Sequence, residues 1–375
     1  MQAAIANSTP RRLRLDGSCK SQNHFLGEEI VSIFRIRRVT VGVLFAAAAA
    51  SLAACGGASS TSQSTTTSPP KSTFASTANF TVGVFSGPYL VWAGVALNMF
   101  SNLHVKFVTV GSGPAELPLV SSGQMAGIDD LGAPPLSIAY ARQVGLKIVW
   151  FDGKELDRLV VSQNITQPSQ LAGKTIAEPT GSIAQYLLDA YLTRNGVSPS
   201  SVNVIDMDPG AMPAAFKAGE ISGALIWAPA YNQMLAAGGK VLFATTDPDF
   251  LGLSGQFVSQ HPRAAKALVC DWASVHHAFF QNPQHIWDAI AKETGEGVAS
   301  VQALLPKVAV APTNQTTASW LGNSETPSQL APFMYQTGQW LLHSGAIPTS
   351  PTLGQVQASF DPSYAQNVAA GQCAS

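Results

Sequence analysis

The chain has 375 residues, 46% of them hydrophobic and 11% charged, with a net charge of -1. At that length two compact cores are expected, since domains usually run to about 100–200 residues. A near-zero charge excludes the basic surface that nucleic acid or anionic lipid would need, and the low charged fraction leaves the surface to neutral polar residues.

The first element is a leader. Arg35, Arg37 and Arg38 precede an apolar run from Val39 to Ser51, and Leu52-Ala53-Ala54-Cys55 follows. That is the order of a basic region, an apolar region and a small-residue cleavage site. The apolar run is roughly 13 residues long, where a membrane-spanning helix needs about 20. Leu52-Ala53-Ala54-Cys55 ahead of Gly56-Gly57 resembles the bacterial lipobox, whose cysteine becomes the acylated first residue of the mature protein. Residues 1–54 are expected to be leader and signal peptide, and Cys55 the lipidated residue. Residues 55–78, rich in Ser and Thr, then form a flexible tether that keeps the folded part on the extracytoplasmic side of the membrane.

Phe80 to Val84 reads as the first strand, followed by Ser86-Gly87-Pro88 and an apolar helix face from Tyr89 to Phe100. The pattern repeats: strand Val105–Val110, turn Gly111–Pro114 and helix Ala115–Ser121, then strand Gly127–Leu131, turn Gly132–Pro135 and a helix through Arg142. Ile148–Phe151 and Leu159–Ser162 are expected as two further strands. A second unit opens at Gly173 with a strand, the turn Pro179–Ser182 and a helix Ile183–Arg194 stopped by Asn195-Gly196. Asn203–Met207 and Gly223–Trp227 read as strands around a helix Ala211–Ala218, and the chain from His261 onward is mainly helical. Strands alternating with helices imply α/β lobes with mainly parallel sheets flanked by helices. The expected division is lobe 1 from 79–165 plus 255–375, and lobe 2 from 166–254.

Catalytic and metal motifs do not assemble. Gly173-Lys174-Thr175 ends like a phosphate-binding loop, but Pro168 stands where its first glycine belongs and the segment precedes a strand. Ser254 has Gly252 before it and Gly255 directly after it, which breaks the spacing of a hydrolase nucleophile elbow. His276, His277 and His285 fit no zinc-binding spacing, so no metal and no cofactor is expected. Cys270 and Cys373, the cysteines left after the leader and Cys55, are the candidates for a disulfide in an oxidising compartment.

Leu171–Ala177 with Gly181-Ser182, Ala214–Ala224 and Trp227-Ala228-Pro229-Ala230 resemble the nitrate, sulfonate and taurine substrate-binding proteins of ABC importers. Lys240–Leu242, His261-Pro262, Gln315–Ala318 and Gly345–Pro348 follow the order of the taurine-binding branch. The resemblance covers residues 80 to 365. It implies a type II periplasmic-binding-protein fold, two lobes with the ligand between them, a permease and its ATPase as partners, a monomer, and no catalysed reaction. The implied cargo is taurine or a related sulfonate. Nitrate, other sulfonates and a sensing role without transport remain as alternatives, and an enzyme like the thiamine-pyrimidine synthases would need a cofactor lysine and a histidine or cysteine cluster. Two departures stand out: Val241 to His261 is shorter than the family pattern, with Leu251–Gly255 where a crossing strand belongs, and Gly123-Gln124 replaces the usual Gly-Asp or Gly-Glu, with one extra residue before Leu131.

An anion can be held by backbone N–H groups at helix N-termini, and in a parallel sheet such turns lie beyond the carboxyl ends of the strands. The expected cradle is Ser86, Gly87, Gly111, Ser112, Ala133, Thr180, Gly181 and Ser182, although glycine at such places equally serves a tight turn. Trp227 would wall the cleft. Taurine's ammonium needs a carboxylate, for which Asp129, Asp130, Glu178 and Asp208 are available, and Asp130 and Glu178 stand nearest the strand ends.

Overall fold

The computed structural model describes residues 76–373 apart from 86, 88, 306–309, 311–318 and 324. The leader, Cys55, the tether through residue 75 and Ser86 lie outside the described residues.

The first half of the fold opens with β1 (Asn79–Phe85), whose buried Val82 and Val84 enter the core, and continues into α1 (Leu90–Ala96). β2 (His104–Val110) leads to α2 (Gly113–Ser121), and β3 (Gly127–Leu131) to α3 (Ala133–Ala141). Both of these helices carry proline in the first turn, where its missing N–H costs nothing. β1 pairs in parallel with β2 and β3. The second half repeats the grammar with β5 (Thr175–Glu178), α4 (Ile183–Arg194), β6 (Asn203–Asp206), α5 (Met212–Ala218), β7 (Gly223–Ile226) and α6 (Ala230–Ala236). There β5 lies parallel to β6 and β7.

Two long strands join the halves. β4 (Leu146–Val161) and β8 (Lys240–Ser254) run antiparallel to each other from Leu146 opposite Ser254 to Val161 opposite Lys240. The described strands form one sheet in the order β2-β1-β3-β8-β4-β7-β5-β6. This corrects the sequence reading at two places: Ile148–Phe151 and Leu159–Ser162 are the ends of one strand, and a crossing strand does occupy the segment ending at Ser254. The reason is visible in the pairing. β3 covers β8 up to Phe250 and β7 covers β4 from Arg158, so the stretch between is a two-stranded ribbon whose β8 edge is open and whose β4 edge is met by a bridge from Val310 to Gly153. Open edges tolerate Pro248, opposite Lys154, and a run of polar residues that reads as loop.

Each half has its own apolar cluster. One gathers Val82, Ile148, Trp150 and Phe250 under α8 (Pro262–Gln281), and another gathers Leu159, Ile176, Leu188 and Leu225. A third, around Leu117, Ile128 and Leu131, covers the other face of the first half. Cys270 of α8 is disulfide-bonded to Cys373, with Cα atoms 5.6 Å apart. The halves also touch away from the ribbon. Phe85 stacks on Trp227 with centroids 5.8 Å apart, and Trp340 of α11 (Ala331–His343) donates through Nε1 to Asp189 Oδ2 of α4 at 2.7 Å.

Candidate functional site

A cavity of about 60 Å³ opens where the ribbon meets the end of β3 and the start of α1. Asp129 and Asp130 come from β3, Asp152, Lys154 and Glu155 from β4, and Asp249 from β8. Tyr89, Leu90 and Val91 line it from the first turn of α1, Trp272 and His276 from α8, and Leu304, Leu305 and Val310 close it.

Neighbouring residues of a strand face opposite sides, so Asp129 and Asp130 should not share a cavity. They do because β3 is irregular: its register against β8 shifts between Ile128 and Leu131, and Asp130 adopts φ 58. A left-handed residue inside a strand is a bulge that re-aims the side chains. Such a conformation is costly for a residue other than glycine and tends to cluster at functional sites.

The cavity is acidic, and most of its carboxylates are buried. Asp129, Asp130 and Asp249 are 3%, 7% and 3% exposed. Burial pushes the carboxyl of Asp130 well above its ordinary range, and the charges of Asp249 and Glu155 push it further. Asp249 is raised by burial and then by Glu155 and Asp157. Glu155 is raised by burial and by Asp157, against the opposing effect of the Tyr89 hydroxyl, which donates to Glu155 Oε1 at 2.9 Å. Asp129 is raised by burial and then by the neighbouring charge of Asp152. Deeper along the ribbon the carboxyls of Asp157 and Asp247, each 1% exposed, are also raised by burial, and none of their oxygens has a hydrogen-bond partner among the described residues. Few cations answer these acids. His276 Nε2 lies 3.3 Å from Asp152 Oδ1, to which Trp272 Nε1 also donates at 2.8 Å, and Lys154 Nζ sits 5.7 Å from the centre of the Trp320 ring.

The sequence over residues 105–291 matches the NMT1-like family. The chain is 30% identical over 257 residues to the taurine-binding periplasmic protein of Escherichia coli K12, covering 63% of this chain and 77% of that protein. This chain belongs to that family of periplasmic binding proteins. Its fold is that of the alkanesulfonate-binding protein of Xanthomonas axonopodis pv. citri bound to MOPS, with a TM-score of 0.61, 19% identity and coverage of 76% of this chain and 98% of the other. It is likewise that of the nitrate-binding protein of Synechocystis PCC 6803, with a TM-score of 0.60, 13% identity and coverage of 78% and 88%.

Of the described residues expected at the ligand, Asp130, the candidate partner of an ammonium, lines this cavity, and the others do not. Several of the expected turn residues meet one another instead: a Cβ added to Gly181 would lie 3.4 Å from Pro114, and one added to Gly132 would lie 3.3 Å from Ile183. The N–H donors of the second-half turn are engaged: Thr180 donates to Asp206 Oδ1 at 2.8 Å, Gly181 to Gln185 Oε1 at 2.9 Å, and Ser182 to the Pro179 carbonyl at 3.1 Å. The Ser182 hydroxyl is buried without a hydrogen-bond partner among the described residues. Ser112 precedes α2 without capping it, and Ala133 is fully buried at the start of α3. Gly87 is pressed against Tyr89, whose ring would lie 2.6 Å from an added Cβ. Trp227 is 5% exposed and packs on Phe85 instead of facing the cavity. Glu178 is 1% exposed and stands apart from the cavity, with its pKa pushed up to about 8 by burial. Sequence reasoning missed Asp152, Glu155, Asp249, Tyr89, Trp272 and His276. The signal for them was a concentration of acids in strand-forming stretches of a chain with few charges.

Proposed function

We propose that this protein is the solute-capturing component of an ABC importer, tethered to the membrane through a lipid on Cys55. Its two halves act as lobes, residues 79–165 with 255–375 and residues 166–254, that close over a small organic solute at the crossing ribbon. The closed form is presented to a permease and its ATPase, and no reaction is catalysed. The observation that carries this reading is the cavity itself. Buried polar side chains from β3, β4 and β8 converge on it at the passage between the halves, where a change of lobe angle alters the walls.

Closure then follows from differential affinity: a ligand that touches both halves binds the closed arrangement more tightly and shifts the population toward it. Contacts such as Phe85 on Trp227 and Trp340 to Asp189 join the halves and stabilise the closed arrangement. Taurine is the reference ligand, because the relative with 30% identity carries it in its name. Its ammonium suits the carboxylates.

The import reading is tested by reconstituting the permease and ATPase in liposomes and measuring ATP hydrolysis with the loaded receptor. Stimulation by loaded receptor is expected. A receptor that binds its solute and leaves hydrolysis unchanged would instead be a sensing lipoprotein.

A further inference from the structure

We propose that the cavity captures an organic cation carrying a primary ammonium group, and that the natural cargo is an amine without a sulfonate or other anionic group. This rests on the receptor reading above and names the chemical class of its ligand. The first support is the balance of charge: Asp129, Asp130, Asp152, Glu155 and Asp249 line one small cavity, and the cationic side chains there among the described residues are Lys154 and His276. Lys154 is drawn to the Trp320 ring and His276 to Asp152, so both already have partners.

The second support is independent of acid count. Asp130 Oδ2 and Asp249 Oδ2 are buried and have no hydrogen-bond partner among the described residues, although both side chains line the cavity. Buried polar atoms without a partner are rare, and those that persist call for an explanation. Asp130 and Asp249 flank the paired residues Leu131 and Phe250 on neighbouring strands, and both face the one cavity. An ammonium offers three N–H donors and a positive charge, so a single group can satisfy both oxygens and relieve their repulsion. The left-handed backbone at Asp130 is what directs its carboxyl to that position.

The rest of the lining fits a short apolar stem: Leu90, Leu304, Leu305 and the faces of Tyr89 and Trp272, rings that also attract a cation. A metal ion fits less well, since among the described residues no trio of histidine and carboxylate groups is arranged to hold one. A sulfonate fits worst. It stays anionic at any ordinary pH, it would sit against buried carboxylates, and the N–H groups at 180–182 are engaged within the protein.

The test is calorimetric titration of the purified chain with propylamine, 1,3-diaminopropane, taurine and propanesulfonate. The amines are expected to bind, at least one of them tenfold or more tighter than taurine, with no heat of binding for propanesulfonate. Asp130→Asn and Asp249→Asn should each weaken the amine tenfold or more while keeping cooperative thermal unfolding, and Asp288→Asn on the exposed face of α9 (Pro283–Thr294) should leave it unchanged. Should an Asn variant fail to fold, the ligand series on the unmodified chain decides the matter alone. Tight binding of taurine or propanesulfonate, or an amine affinity untouched by both Asn changes, overturns the cation assignment and leaves the receptor reading standing. Binding of no compound from either class overturns both.

Discussion

Replacing Glu178 with Gln removes a titrating group at the end of β5 while keeping its shape. Thr180 Oγ1 donates to Glu178 Oε1 at 3.3 Å, and Oε2 has no partner among the described residues. Burial raises this carboxyl from 4.5 to about 8, against the opposing effect of the Thr180 bond and with a smaller push from Asp206. A folded-state pKa above the unfolded one means that the folded protein holds the proton longer, so stability falls as pH rises from about 4.5 to about 8. At about 1.36 kcal/mol per pH unit the full shift corresponds to roughly 4–5 kcal/mol, an upper figure because denatured chains and partial hydration reduce it. The Gln variant keeps the acceptor for Thr180 and loses this penalty. Urea unfolding at about pH 5 and about pH 9 should therefore show a small difference between the two proteins at the lower pH and a variant more stable by roughly 3–4 kcal/mol at the higher. Other titrating groups cancel in the comparison. A difference that does not change with pH, or a variant that is less stable at high pH, would refute the reasoning by showing Glu178 solvated or paired with a cation.

Three further predictions concern the frame around the site. Changing Cys270 and Cys373 together to Ser opens a link spanning 103 residues and should lower stability by about 2–5 kcal/mol, with both native cysteines unreactive to thiol reagents in denaturant until reduced. Two free thiols before reduction would contradict it. Trp340→Phe deletes the bond to Asp189, worth about 1.5–3 kcal/mol for a carboxylate acceptor, and should open the ligand-free protein, seen as a larger radius of gyration in X-ray scattering. An unchanged radius would remove that bond from the closure. Cys55→Ser should move the protein from the detergent phase to the aqueous phase on partitioning, and an unaltered distribution would dispose of the lipid anchor.

Much of the fold was legible because its punctuation is local. Strand Gly127–Leu131 and helix Ile183–Arg194 have the bounds that periodicity and the flanking Gly, Pro and Asn suggest. The crossing ribbon was not legible, since Pro248 and the polar stretch Asp152–Arg158 imitate a loop and only long-range pairing makes them strand. The site was less legible still. Whether the N–H groups of Thr180 and Gly181 are free depends on Asp206 and Gln185 folding back onto them, which no motif records. Asp152 and Glu155 meet Asp247 and Asp249 through the register of two strands far apart in sequence, and Asp129 joins Asp130 through a bulge that a one-letter pattern hides. Asp130 was reachable because it stands at the end of a readable strand.

Binding of the solute among ionisable carboxylates is tested most directly by the proton balance of binding, from calorimetry with propylamine in two buffers of different ionisation enthalpy, between about pH 5.5 and about pH 8. The titrating groups facing the ligand are Asp129, Asp130, Asp152, Lys154, Glu155, Asp249, Tyr89 and His276. Burial holds the carboxyls of Asp129, Asp130, Glu155 and Asp249 high, and a cation favours their ionised forms. Binding should therefore release protons, and affinity should rise with pH across this range. Proton uptake on binding, or an affinity that falls as pH rises, is what an anionic ligand in this cavity would give, and it would contradict the account.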